Sequence, residues 1–155
     1  MTKEDEQIKV TNYALNLISY RKRSEMEILN ALDKKGFNKE YITYTIDYLK
    51  ENKYINDEDF AKSFIADKQN LNKYGPNKIK YELYKKGISK EIVELSLIPD
   101  DELEYEMALE LALKKIETYV DQDRNNIYRK LGGMLQRKGY SYDIIIRVLD
   151  FLLNN

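Results

Sequence analysis

The chain has 155 residues, 43% of them hydrophobic, with 26 basic and 27 acidic side chains and neither cysteine nor histidine. That excludes disulfides, thiolate chemistry and cysteine-based metal sites, and it removes the commonest general base and transition-metal ligand. A net charge of −1 excludes a globally basic nucleic-acid binder, and no apolar run approaches the ~20 residues of a membrane span.

Residues Met1 to Gln7 are charged and carry no apolar core, so a secretory signal is not expected there and the cytoplasm is. The first periodic segment is Ala14-x2-Leu17-Ile18-x2-Arg21, with the i, i+3, i+4 spacing of an amphipathic helix. Ser24-Glu25-Met26-Glu27 then forms a capping box, in which the serine oxygen and the glutamate carboxylate reciprocally satisfy orphan amides. The helix it opens is expected to end at Lys35-Gly36, with glycine in the left-handed position and lysine at the negative end of the dipole. Asn38 is the expected N-cap of a third helix, whose core stripe is Ile42, Ile46 and Leu49.

The same grammar then returns twice. First helices are marked by Ala61-x2-Phe64-Ile65-x2-Lys68 and Ala108-x2-Leu111-Ala112-x2-Lys115, each 47 residues after the last. Gly75-Pro76 opens the second helix of the next set, with proline where its missing N–H costs nothing. Lys86-Gly87 and Lys138-Gly139 repeat the Lys35-Gly36 ending at intervals of 51 and 52 residues, and Ser89 and Ser141 follow as caps. Pro99 cuts short the third helix of the middle set. The expectation is an all-α chain of three tandem three-helix repeats, 1–54, 55–99 and 100–155, forming an elongated, curved array. Such arrays present extended binding surfaces.

Catalytic chemistry is hard to place on this framework. Ser24, Ser89 and Ser141 read as caps, with no base partner in evidence. Asp57-Glu58-Asp59 and Asp100-Asp101-Glu102 lie where first helices begin, and acids there complement the dipole. They lack the spaced oxygens and turn glycine of a calcium loop. No catalytic residue, cofactor or metal site is therefore expected.

Basic residues collect on and before the second helices. They are Arg21, Lys22, Arg23 and Lys35, then Lys78, Lys80 and Lys86, then Arg129, Lys130, Arg137 and Lys138. A stripe of this kind suffices for phosphate contact. Tyr74, beside Gly75 in a polar loop, is the tyrosine best placed for a partner. The Lys-Gly-apolar turn also resembles that of a helix-turn-helix, which would make the protein a free-standing DNA-binding transcription regulator. The following helices, Lys39-Glu-Tyr-Ile-Thr-Tyr onward and Lys90-Glu-Ile-Val-Glu onward, are poor in base-reading side chains and disfavour that alternative.

The strings Arg21-Lys-Arg23-Ser24, Tyr54-Ile55-Asn56-Asp57-x2-Phe60-Ala61, Gly75-Pro76-x-Lys78-Ile79 and the Lys-Gly turns, in this order, resemble the RecX family of bacterial regulatory proteins. The likeness is closest over 13–98 and looser in sequence over 103–153. It implies three three-helix repeats, no enzymatic activity, and binding to RecA recombinase filaments and the single-stranded DNA within them; a monomer is expected. It further implies inhibition of their ATP hydrolysis, strand exchange or extension during recombination and DNA repair.

Overall fold

The computed structural model describes residues 1–154, and among these every regular element is an α-helix. In chain order they are α1 (Lys3–Tyr20), α2 (Glu25–Lys35), α3 (Lys39–Glu51), α4 (Asp57–Asn70), α5 (Pro76–Lys85), α6 (Lys90–Ser96), α7 (Asp101–Ile116), α8 (Arg124–Lys138) and α9 (Tyr142–Leu153). None is long and apolar enough to cross a membrane.

The expected punctuation is largely present. Ser24 closes a capping box with Glu27, Asn38 accepts from the Glu40 N–H, and Ser89 accepts from the Ile92 N–H. Gly36, Gly87 and Gly139 all take positive φ, at 90°, 81° and 98°. Pro76 is the first residue of α5, and α6 runs for only 7 residues before Pro99. The acids Asp57-Glu58-Asp59 and Asp101-Glu102 occupy first turns, where they meet the helix dipole.

Two local departures stand out. Ser141 sits at the N-cap of α9 but makes no side-chain cap bond. Its N–H is taken instead by the Glu104 carboxylate of α7 at 2.7 Å, because the third residue of α9 is the apolar Ile144 and cannot reach back. Helix α8 is 15 residues long against 11 for α2 and 10 for α5, and it starts at an Asp123 cap, about one turn earlier relative to its closing glycine.

By packing, the chain divides into two compact units, 1–63 with 83–96, and 64–82 with 97–155. In the first, α1, α2 and α3 enclose a core of Val10, Ala14, Ile28, Leu32, Ile42, Ile46, Leu49 and Ile55. Thr45 is fully buried there and is satisfied by Thr11 and by the Gln7 amide, which also donates to the Tyr41 carbonyl. In the second, α7, α8 and α9 enclose Ala108, Ala112, Leu131, Leu135, Tyr140, Ile144, Ile145, Val148 and Leu149. The recurring alanines Ala14, Ala61 and Ala108 are fully buried.

Candidate functional site

In the unit containing 1–63 and 83–96, most of the expected binding cations are held by the protein itself. Glu27 of α2 pairs with Arg21 at 2.7 Å and with Lys86 at 3.4 Å, and it accepts from the Ser24 N–H. Burial would raise the Glu27 carboxyl, but the Arg21 hydrogen bond, the Ser24 N–H and the charge of Lys86 together hold it below the usual range. Lys22 donates to the Ser63 hydroxyl, and the Nε of half-buried Arg23 is enclosed without a hydrogen-bond partner. Lys35 lies over the Tyr13 ring at 5.6 Å. Asp57 accepts the Glu25 N–H at the start of α2, and its burial, the largest influence, raises its pKa.

The unit containing 64–82 and 97–155 is arranged differently. The loop from Leu71 to Gly75 returns to α8, where the Gly75 N–H donates to the Lys138 carbonyl at 2.7 Å and the Asn77 N–H to the Gly139 carbonyl at 2.9 Å. Buried Tyr140 donates its hydroxyl to the Lys73 carbonyl at 2.7 Å, and Lys73 itself has φ 57°. These bonds fix the half-buried Tyr74 ring. Three ammonium groups then converge on it: Lys78 at 4.2 Å from the centroid, Lys138 at 5.4 Å and Lys68 at 5.6 Å. Lys138 also donates to the Asn72 carbonyl, yet none of the three lysines has a carboxylate partner among the described residues.

Three cations around one ring repel one another, and the ring quadrupole offsets only part of that. The first turn of α5 carries no acid to offset them. The arrangement is chemically suited to receiving an anion. Tyr74, Lys78 and Lys138 are expected from the sequence. Lys68 is not, although it stands where Arg21 and Lys115 stand in the other first helices.

The remaining candidates stand apart from this cluster. Lys80 is exposed and lines a cleft that Tyr74 also lines. Arg129 and Lys130 are exposed on α8; Arg129 donates to the Asn126 side chain and Lys130 lies over Tyr119. Arg137 is exposed near Gly133. Among the described residues no group of three or more histidine, cysteine, aspartate or glutamate side chains could hold a metal ion.

Family models for the first, second and third three-helix domains of RecX match residues 11–49, 56–97 and 101–149. The regulatory protein RecX of Clostridioides difficile (strain 630) is 39% identical over 148 residues, which span 95% of this chain and 69% of that protein. The one of Clostridium botulinum (strain Alaska E43 / Type E3) is 38% identical over 157 residues, spanning 99% and 73%. The crystal structure of RecX from Lactobacillus salivarius superposes with a TM-score of 0.85 at 35% identity, covering 96% of this chain and 97% of that one. Together with the all-helical architecture and the three Lys-Gly turns, these matches establish that the chain belongs to the RecX family of regulatory proteins.

Proposed function

We propose that this regulatory protein acts on RecA recombinase filaments formed on single-stranded DNA, lowering their ATP hydrolysis and limiting strand exchange or extension. The observation that carries the proposal is the group of Lys68, Lys78 and Lys138 on Tyr74, three cations without a carboxylate partner among the described residues. Family membership supplies the regulatory role, and the uncompensated cluster supplies a place to engage a filament that contains a polyanion. In this reading the protein is non-enzymatic, monomeric and cytoplasmic. The exposed cations Lys22, Lys35, Lys80, Arg129, Lys130 and Arg137 add weaker, salt-screened attraction. Arg21 and Lys86, by contrast, serve chiefly to neutralise Glu27.

The test is ATP hydrolysis by the cognate RecA on single-stranded DNA, with this protein added at substoichiometric ratios. Inhibition is expected, weakening as salt rises. Unchanged hydrolysis at every ratio, from a protein of intact helicity, would overturn the proposal.

A further inference from the structure

Tyr74 belongs to two features at once. One is the lysine cluster; the other is a cleft of about 220 Å³, formed where α5 and α7 begin and α8 turns into α9. Its apolar lining includes Leu103 and Met107, and the side chains of Gln69, Asn77 and Asp101 add polar groups. Drug-sized ligands occupy roughly 300–1,000 Å³, so this cleft suits a single ring system rather than a whole cofactor. An amide side chain offers both a donor and an acceptor, the combination found along the edge of a nucleobase.

The charges around the cleft divide its roles. Of the carboxylates lining the cleft, Asp100 is engaged with the Leu103 N–H and Glu104 with the Ser141 N–H, while Asp101 sits in the first turn of α7 and Lys80 also lines the cleft. The three lysines on Tyr74 have no carboxylate partner among the described residues. A ligand that matches both features has a flat polar ring for the cleft and an anionic group beside it.

We infer that this cleft takes one unpaired base of single-stranded nucleic acid while the adjoining phosphate is held by Lys68, Lys78 and Lys138. The inference deepens the reading of the same site as a filament contact and rests on it. A base within a duplex is stacked and paired, so entry requires a single strand or extrusion of the nucleotide. Phosphate binding alone would be indifferent to the base; base capture is not.

The experiment measures binding of the full chain, by fluorescence anisotropy, to two labelled strands of equal length. One is oligothymidylate and the other an abasic sugar-phosphate strand of the same charge. The abasic strand is expected to bind about tenfold more weakly, since one captured base contributes of the order of a stacking contact. Leu103→Trp, at a partly exposed position lining the cleft, should bring oligothymidylate down to the abasic level and leave the abasic strand unchanged. Lys78→Gln should weaken both strands equally and flatten the salt dependence.

Equal affinity of the unmodified protein for the two strands, or no binding to either, would overturn the inference, and that comparison needs no variant to fold. Inhibition of RecA hydrolysis measured on the same preparation separates the two claims. A protein that inhibits yet does not discriminate between the strands keeps the regulatory reading and loses the base cleft.

Discussion

Gly75 and Gly139 meet backbone to backbone. A Cβ built on Gly75 would fall 2.6 Å from the carbonyl carbon and oxygen of Gly139, and one built on Gly139 would fall 2.5 Å from the nitrogen of Lys78. The N-terminus of α5 is thus seated on the Lys138-Gly139 turn. The other unit repeats the relationship: the Ser24 hydroxyl, capping α2, donates to the Lys86 carbonyl at 2.7 Å, and Gly87 faces Met26. The Lys-Gly turn therefore has a second role beyond ending a helix, which is to receive the start of the second helix from the preceding repeat. Gly36, in the first of the three turns, meets nothing within 4 Å.

This geometry separates two costs that glycine avoids. Gly36→Ala should lose about 1 kcal/mol, the penalty of a left-handed backbone with open space around the new methyl. Gly139→Ala adds a collision with the backbone of Lys78 and should lose about 3 kcal/mol or more. Gly75→Ala, where φ is not positive, isolates the close approach alone and should fall between them. Urea unfolding followed by circular dichroism gives the order. A cost at Gly36 equal to that at Gly139 would remove the docking role.

Two carboxylates of the same unit should respond to acid in opposite senses. Glu27 has a lowered pKa in the folded protein, so its stabilisation is present above the unfolded value of about 4.3 and is lost as pH falls through the lower folded value. Glu27→Gln should destabilise at neutral pH and converge with the parent protein in acid. Asp57 has a raised pKa, chiefly from burial, so the folded state holds its proton more tightly and the ionised group opposes folding above that range. Asp57→Asn, which keeps an oxygen for the Glu25 N–H, should be neutral or stabilising at pH 7, with the advantage disappearing in acid. Unfolding midpoints across the acid limb check both signs.

Local rules made much of the fold legible. Capping chemistry located the starts of α2, α3 and α6, and the Lys-Gly pairs located three helix ends, because each depends on residues within one turn of the boundary. The Gly75–Gly139 approach joins residues far apart in the chain, and nothing in either glycine's neighbourhood specifies the other. Ser141 shows the same limit, since the acceptor for its N–H is Glu104 on another helix. At the site, Tyr74, Lys78 and Lys138 were visible as a loop aromatic and basic turns. Lys68 was visible only as the last position of a first-helix pattern, because its approach to Tyr74 depends on the return of the 71–75 loop. The neutralisation of Arg21 and Lys86 by Glu27 was hidden for the same reason.

The Tyr140 hydroxyl links stability to the site. Burial, with smaller contributions from Glu104 and Glu110, pushes its pKa above the ordinary phenol range, so it remains a donor to the Lys73 carbonyl throughout the working pH range. Tyr140→Phe should cost about 1 kcal/mol, as expected for removing one hydrogen bond and leaving its acceptor half-buried. Lys73 precedes Tyr74, so the same variant should speed hydrogen exchange over 71–75. Faster exchange spread evenly over the whole chain would count against a local role.

The lysine cluster and the Glu27 network predict separable failures. Lys68→Gln, Lys78→Gln and Lys138→Gln each remove a cation that has no carboxylate partner among the described residues; fold stability should hold or rise slightly for the first two as mutual repulsion is relieved, while Lys138→Gln also loses the bond to the Asn72 carbonyl and a cation at the C-terminal end of α8. Inhibition of RecA should weaken, most of all for Lys78, the closest of the three to the ring. Each variant should also lower the salt dependence of single-strand binding, by about 0.7 in the logarithmic slope for each phosphate no longer neutralised. Arg21→Gln and Lys86→Gln should do the reverse, lowering stability by stranding Glu27 while leaving that slope nearly unchanged. Measuring unfolding midpoint and salt slope on all five variants decides between the two surfaces. A reduced slope in Arg21→Gln with an intact one in Lys78→Gln would move the polyanion-binding surface from the Tyr74 cluster to the start of α2.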